Sequence, residues 1–382
     1  MILVPLLSEV YRLHPAQAEQ IVTPALLIYP AVVEQNIHAT LKLVGGNANR
    51  WRPHLKTAKI STVIRVLIAA GVRNVKCSTT LELLVACQEG VSDVLLAFSV
   101  TGANARRVLQ IAKRYEETRI SVLIENGEQL DSWHGQEVGV FLDINSGMNR
   151  TGLSQDGVEA IVALAKQAAG QFRGLHYYDG HMSGVPAPER EAKAHEGYRW
   201  VLGLAGALNT AGITCEEIIT SGTPAAPYAL SFREFGEAAF VHRISPGTVV
   251  YNDMTSLEQL PGLGYAPAAL VLSTVVSRPT ANIVTCDAGH KSVSADAGVP
   301  TCSVLNGGEG FRPLKPSEEH LPIDCGSPEA RPAIGSHVYL LPRHICPTVN
   351  NFDEALFVED GTIRTMEKIS ARGHETLLIE TG

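Results

Sequence analysis

NVKCSTTLELLVACQEGVSDVLLAFSV, residues 74–100, holds the pattern on which the fold turns. NVKCST (74–79) and DVLLAFSV (93–100) are β-rich runs. Between them LELLVACQEG (81–90) is an apolar helical stretch that ends on a glycine. A strand, a helix and a strand following so closely read as one unit of a parallel sheet.

Outward from this stretch the same alternation continues. PALLIY (24–29) and NRWRPH (49–54) precede it as strand candidates. RISVLIE (119–125), VGVFLDI (138–144), RGLHYYDG (173–180), EEIITSG (216–222) and AAFVHRI (238–244) follow. Helical stretches such as STVIRVLIAAG (61–71) and DGVEAIVALAKQAAG (156–170) lie between them. In the latter, Val158, Ile161, Val162 and Leu164 fall at near-helical spacing before Gly170. Alternation about eight times over roughly 230 residues predicts a (β/α)8 barrel. A doubly wound sheet is the alternative, but no GxGxxG follows the first strand candidate. Near residue 258 the pattern changes to β-rich runs broken by Gly and Pro, such as ANIVTCDAG, GSHVYLLPRH and ALFVEDGTIRTMEK. The expected organisation is a barrel over 24–258 and a mostly β domain over 259–382 that includes residues 1–23.

Bulk properties exclude several classes. The chain has 382 residues, 31 Lys+Arg against 39 Asp+Glu and a formal net charge of −8, so no basic field points to nucleic acid. No apolar run reaches the ~18 residues of a membrane span. MILVPLLSEVYRLHPAQ has no basic region and no small-residue cleavage site, and reads as mature protein. Seven scattered cysteines without a CxxC pair point to a reducing compartment, the cytoplasm by default.

The chemistry-bearing residues gather where strands end. Lys56 in WRPHLKTAKI (51–60) follows a strand candidate by two residues, at the end of a barrel where active sites sit. There, partial burial and nearby cations lower a lysine's pKa towards a usable free amine. The plain alternative is a solvated loop lysine. TSGTPAAP (220–227) and SPGT (245–248) follow the last two strand candidates, where barrels commonly hold phosphate. Pro224 marks a helix start that can face an anion. DINSGMNRTG (143–152) sets Arg150 just past a strand as a cation for an acidic oxygen, or a turn arginine in an ion pair. GLHYYDGH (174–181) brings Tyr178 and His181 to a strand end. In LPRHICPTVN (341–350), His344 and Cys346 share one side if the segment is extended and could reach one soft divalent ion, with Glu318, Glu319 and His320 as possible additions. A buried pair without metal is the alternative.

Taken in order, RPHxKT, DxxxGxxRxG, GLxxYxGH, SGTP, PGTxVYxD, DAGxK and HxCPTVN resemble the fold-type III pyridoxal-phosphate enzymes. The nearest group is that of D-threonine aldolase and eukaryotic-type D-serine dehydratase, from about Thr23 to about Asp360. The resemblance implies an alanine-racemase-like barrel with a C-terminal β domain, a homodimer, and lyase activity on D-β-hydroxy amino acids. By motif, Lys56 would hold the cofactor covalently and Arg150 would contact its phenolic oxygen, with Tyr178 beside the ring. Ser221, Gly222, Thr223, Gly247 and Thr248 would cradle the phosphate, with Tyr251 nearby. His344 and Cys346 would bind zinc or manganese, and Gly289 and Lys291 match a motif without an assigned role. The aldolase branch often reads RPHxKTHK and His-x-Asp, whereas this chain has Ala58 and Cys346, as dehydratases do for the latter. Dehydration is therefore expected ahead of retro-aldol cleavage, for which His54 and His181 are the candidate bases. Racemisation and a non-catalytic pyridoxal-phosphate carrier are the other readings.

Overall fold

The computed structural model describes residues 9–308 and 310–378. The chain divides into two compact units. One holds Thr40–Lys56, Ile64–Gly247 and the described residues from Gly373 onward. The other holds the described residues up to Ala39, Thr57–Val63 and Thr248–Arg372. The division after Gly247 falls ahead of the boundary expected at 258.

Strand β1 (Ala25–Ile28) corrects the expected barrel order. It pairs antiparallel with β9 (Ala269–Ser277) and parallel with β15 (Glu354–Glu359), and so belongs to the β-rich unit. Its three fully apolar, buried positions need a neighbour on each edge, and hydrophobic pattern alone cannot say which sheet supplies them.

The barrel unit is built from β2 (Asn74–Cys77), β3 (Asp93–Leu96), β4 (Arg119–Ile124), β5 (Gly139–Asp143), β6 (Phe172–Tyr177), β7 (Glu217–Thr220) and β8 (Val241–Ile244). They pair in chain order, all parallel. The segment 51–54 closes the ring. Trp51 bridges Ile244 of β8 and His54 bridges Lys76 of β2, both parallel. The Arg52 N–H donates to Ile244 O at 2.8 Å and the Lys76 N–H to Pro53 O at 2.8 Å. Bridges replace a full strand here because Pro53 has no N–H to give a ladder. The β2–helix–β3 unit read from residues 74–100 is present, with its helix at Thr80–Gln88 and Thr79 Oγ1 accepting from the Glu82 N–H.

Inside the barrel the side chains form layers, as barrel interiors do. Towards the N-terminal strand ends, Arg52 donates two hydrogen bonds to Asp93 at 2.9 Å and two to Glu217 at 2.8 and 2.9 Å. Its remaining N–H reaches Val75 O at 3.2 Å, so all five guanidinium donors are used. Arg243 completes the cluster on Glu217 and Asn49. Above it Leu95, Leu123, Phe141 and Ile219 pack as a buried apolar plug.

The other unit's sheet runs β12 (Arg312–Pro313), β13 (Leu321–Asp324), β10 (Ile283–Cys286), β9, β1, β15, β16 (Thr362–Lys368). Off this path, β14 (His337–Pro342) joins β9 and β11 (Cys302–Val304) joins β14. The N-terminal segment belongs here, since the Leu13 N–H donates to the Tyr339 hydroxyl at 3.1 Å. Residues 1–8 lie outside the described part. All seven cysteines are free thiols. No helix among the described residues is long and apolar enough to cross a membrane.

Candidate active site

At the C-terminal strand ends the apolar plug gives way to a cavity of about 220 Å³. Lys56, His54, Lys76, Asp143, Arg150, His176 and Tyr178 line it, with Leu123 and Ala97 on its apolar side. Three lysine or arginine side chains therefore face one carboxylate. Lys56 sits in the short helix Leu55–Ala58, half-buried, and its backbone N–H donates to His54 Nδ1 at 3.3 Å. That bond gives His54 a local structural role.

Tyr178 forms one wall. The Arg150 guanidinium lies 5.1 Å from its ring centroid and the Lys76 ammonium nitrogen 5.2 Å. Two glycines fit around the ring: a Cβ at Gly180 would stand 2.5 Å from it, and one at Gly222 3.0 Å.

Both Gly-bearing turns are in place. Ser221 has φ 56°, a left-handed conformation rare for a residue with a side chain. Its Oγ is buried and has no hydrogen-bond partner among the described residues. Thr223–Ala225 forms a 3-10 turn leading into the short helix Ala226–Ser231. Gly247 packs so closely on the carbonyl oxygen of His54 that a Cβ would come within 2.3 Å of it. Ser245 ties the two turns together, its Oγ donating to Ser221 O at 2.7 Å.

Beneath the cavity, polar side chains that sequence reasoning passed over are joined. The Lys76 Nζ donates to Ser245 Oγ at 2.8 Å and lies 3.1 Å from His176 Nε2, while His176 Nδ1 is 2.7 Å from Asp143 Oδ1. Burial and the nearby Lys56 cation bring Lys76 down to about 7, against the pull of Asp143. Burial raises the Asp143 carboxyl, but its bonds to His176 and Thr151 and the Arg150 charge carry it below the usual carboxylate range. Burial and the Lys76 charge lower His176, which stays neutral. A lone lysine inside the apolar run NVKC was the signal that was available.

Other expected site residues are placed differently. His181 is absent from this cavity's lining and instead lines a separate one of about 350 Å³ with Ser146 and Asp179. Thr248 and Tyr251 belong to the β-rich unit, where the Tyr251 hydroxyl donates to Ala58 O at 2.7 Å. In that unit His344 precedes the helix Ile345–Asn350, so the expected extended segment is corrected to a helix start. Asp253 makes this possible by accepting the Ile345 N–H at 3.0 Å. His344 and Cys346 still meet. Burial lowers the imidazole's pKa, but its contacts with Cys346 and with Asp296 at 2.7 Å outweigh this and raise it to about 9. Cys346 Sγ also lies 3.0 Å from Thr57 Oγ1 and 3.4 Å from Thr248 Oγ1. Among the described residues no group of three or more His, Cys, Asp or Glu side chains is gathered for a metal. Lys291 of DAGHK pairs with Glu318 and Glu319, and Gly289 packs on the Glu318 backbone.

Known proteins share this architecture. Residues 28–254 match the family model described as alanine racemase, N-terminal domain, and residues 268–358 match one described as a putative serine dehydratase domain. A D-threonine aldolase from Arthrobacter sp is 28% identical over 92% of this chain and 93% of its own length. A D-threo-3-hydroxyaspartate dehydratase from Delftia sp. (strain HT23) is 25% identical over 91% of this chain and 97% of its own length. The crystal structure of D-threonine aldolase from Filomicrobium marinum superposes with a TM-score of 0.83 at 26% identity, covering 92% of this chain and 96% of that one.

Proposed function

Because this chain belongs to the alanine racemase N-terminal domain family, we propose that it is a pyridoxal-phosphate lyase acting on D-amino acids with a β-hydroxyl group. The full-length likeness to named aldolases and dehydratases supports the lyase class. The observation that carries the proposal is the half-buried Lys56 at a cavity with an excess of cations, in the same barrel end as two glycine turns. An anionic, phosphate-bearing aldehyde fits those residues. The cationic lining suits its charge, the Ser221 Oγ, without a partner among the described residues, offers a buried donor, and Gly222 and Gly247 let the two turns pack directly against Tyr178 and His54.

When bound, pyridoxal phosphate supplies an electron sink for charge that develops at the substrate's α-carbon. Lys56 would hold the cofactor through its ε-amine and, once the substrate's amine has replaced it, accept the α-proton. Arg150 would hold the phenolic oxygen and Tyr178 would cover the ring. Ser221, Gly222, Thr223, Gly247 and Thr248 would hold the phosphate. The His344–Cys346 pair suits an ion with open coordination positions, zinc or manganese in type. Asp296 on Nδ1 fixes the ring as second-shell carboxylates do for ligating histidines. A divalent ion there would supply Lewis-acid polarisation of an oxygen.

Loss of the β-hydroxyl as water after α-proton removal leaves an enamine, whose imine tautomer takes up water to give a 2-oxo acid and ammonia, the outcome that Cys346 and Ala58 favour. Cleavage of Cα–Cβ to glycine and an aldehyde is the second reading, favoured by the similarity to D-threonine aldolases. The test incubates cofactor-loaded protein with D-serine, D-threonine and D-threo-3-hydroxyaspartate, with and without a chelator. Assays read 2-oxo acid, ammonia, glycine and aldehyde. Oxo acid with ammonia establishes dehydration, and glycine with aldehyde establishes cleavage. If none forms from any substrate, the proposal fails. A homodimer in the cytoplasm completes the proposal, and light scattering reads the oligomer.

A further inference from the structure

Lys76 occupies an unusual place for a charged residue. It lies in β2 between Val75 and Cys77 and is 2% exposed, where a cation without partners is strongly disfavoured. Its partners fix it from two sides. Ser245 Oγ accepts one N–H at 2.8 Å. His176 accepts another: its Nδ1 faces the acceptor-only Asp143 carboxylate at 2.7 Å, so the ring proton sits there and Nε2, 3.1 Å from Nζ, is the acceptor. Asp143 is held in turn by the Thr151 hydroxyl at 2.7 Å. Thr151, Asp143, His176 and Lys76 thus form one hydrogen-bonded line, and its amine end lines the cavity that Lys56 also lines. An ammonium has three N–H groups; among the described residues two are used, and one remains beside the Tyr178 ring.

We propose that Lys76 is a positioning residue of the cofactor cavity: anchored by Ser245 and His176, it presents its remaining hydrogen-bonding position to the heteroaromatic group bound there and sets that group's protonation. This rests on the cofactor assignment above. The geometry supports it independently of chemistry at Lys56, because Ser245 also bonds the Ser221 turn. The amine is therefore indexed to the phosphate cradle and the ring wall at once.

The groups acting on Lys76 come from every neighbouring strand end. Arg52 and Lys56 belong to the closing segment and the turn after it, and Asp143 and Arg150 to β5 and its loop. His176, Tyr178 and Asp179 belong to β6 and its loop. Burial and Lys56 act against Asp143 to leave Lys76 near 7. A small change in the charge of the bound group then changes the amine's occupancy.

The test uses full-length protein loaded with pyridoxal phosphate, as wild type, Lys76→Met, Lys76→Arg and His176→Gln. Near-ultraviolet circular dichroism checks folding, and the visible absorption of the bound cofactor is titrated from about pH 6 to about pH 9. The wild type is expected to show a transition within that range, since burial holds the Lys76 pKa below that of a free lysine. It should vanish in Lys76→Met, which has no titratable group there, and shift in His176→Gln, which keeps the amine but loses its imidazole partner. It should disappear from the range in the permanently charged Lys76→Arg. If Lys76→Met does not fold, the other two variants carry the comparison. Superimposable curves for wild type and the folded variants overturn the inference but leave the cofactor assignment standing. A wild type without any visible band overturns both.

Discussion

The two ends of the barrel interior use the same kinds of side chain for opposite purposes. At the N-terminal strand ends, Arg52 and Arg243 face Asp93 and Glu217, so two cations meet two carboxylates and every Arg52 donor is bonded. At the C-terminal ends Lys56, Lys76 and Arg150 face Asp143 alone in the cavity lining. The lower cluster is closed on itself. The upper one is short of negative charge and keeps a buried hydroxyl at Ser221 without a partner among the described residues. A buried ionic layer complete within the protein serves the fold, whereas one left short of a partner awaits a ligand.

Four substitutions probe that contrast, in descending order of expected effect. Lys56→Ala should lower product formation by roughly 10²–10⁴-fold or more while leaving the denaturation midpoint almost unchanged. Steady-state assays and urea titration on the same samples would read both. Arg52→Met should behave in the reverse way. It strands Asp93, leaves Glu217 to Arg243 alone and should cost about 3–5 kcal/mol in unfolding free energy, and a cofactor defect at full stability would erase the distinction between the ends. Gly247→Ala forces a Cβ towards the His54 carbonyl. It should cost about 1–3 kcal/mol and weaken pyridoxal-phosphate binding, read by equilibrium dialysis.

Lys76→Met should have the smallest effect, and one that depends on pH. The native pKa near 7 lies below the unfolded value of 10.5, so the unfolded chain holds more protons between these values. Wild-type stability therefore rises with pH across that window, and the burial cost is fully present below it. The variant lacks this cost, so its melting temperature relative to wild type should be a few degrees higher near pH 6 than near pH 9. A constant difference across pH would mean that Lys76 does not change its protonation on unfolding.

The barrel was legible because its strands and helices alternate locally, as 74–100 already does. Lys56, Arg150, Tyr178 and the two glycine turns were legible because each breaks from a strand into a polar turn. Lys76, Asp143 and His176 were not picked out, since each is one polar letter within or ending a run read as strand. What joins them is three strands from separate parts of the chain. His181 looked equivalent to Tyr178 by position, yet the turn after β6 sends it to another cavity. The sheet to which β1 belongs was hidden for a similar reason. Its partners β9 and β15 come from the far end of the chain, and nothing in PALLIY names them.

That placement of β1 has a practical consequence for anyone trimming the gene. A message ending at residue 258 would encode β1 without either strand that borders it, leaving two raw backbone edges of apolar residues available to other molecules. Cutting away the first 39 residues would instead open a slot between β9 and β15. Neither half can be lifted out as an uninterrupted reading frame, so swapping modules with a relative requires stitching at several seams.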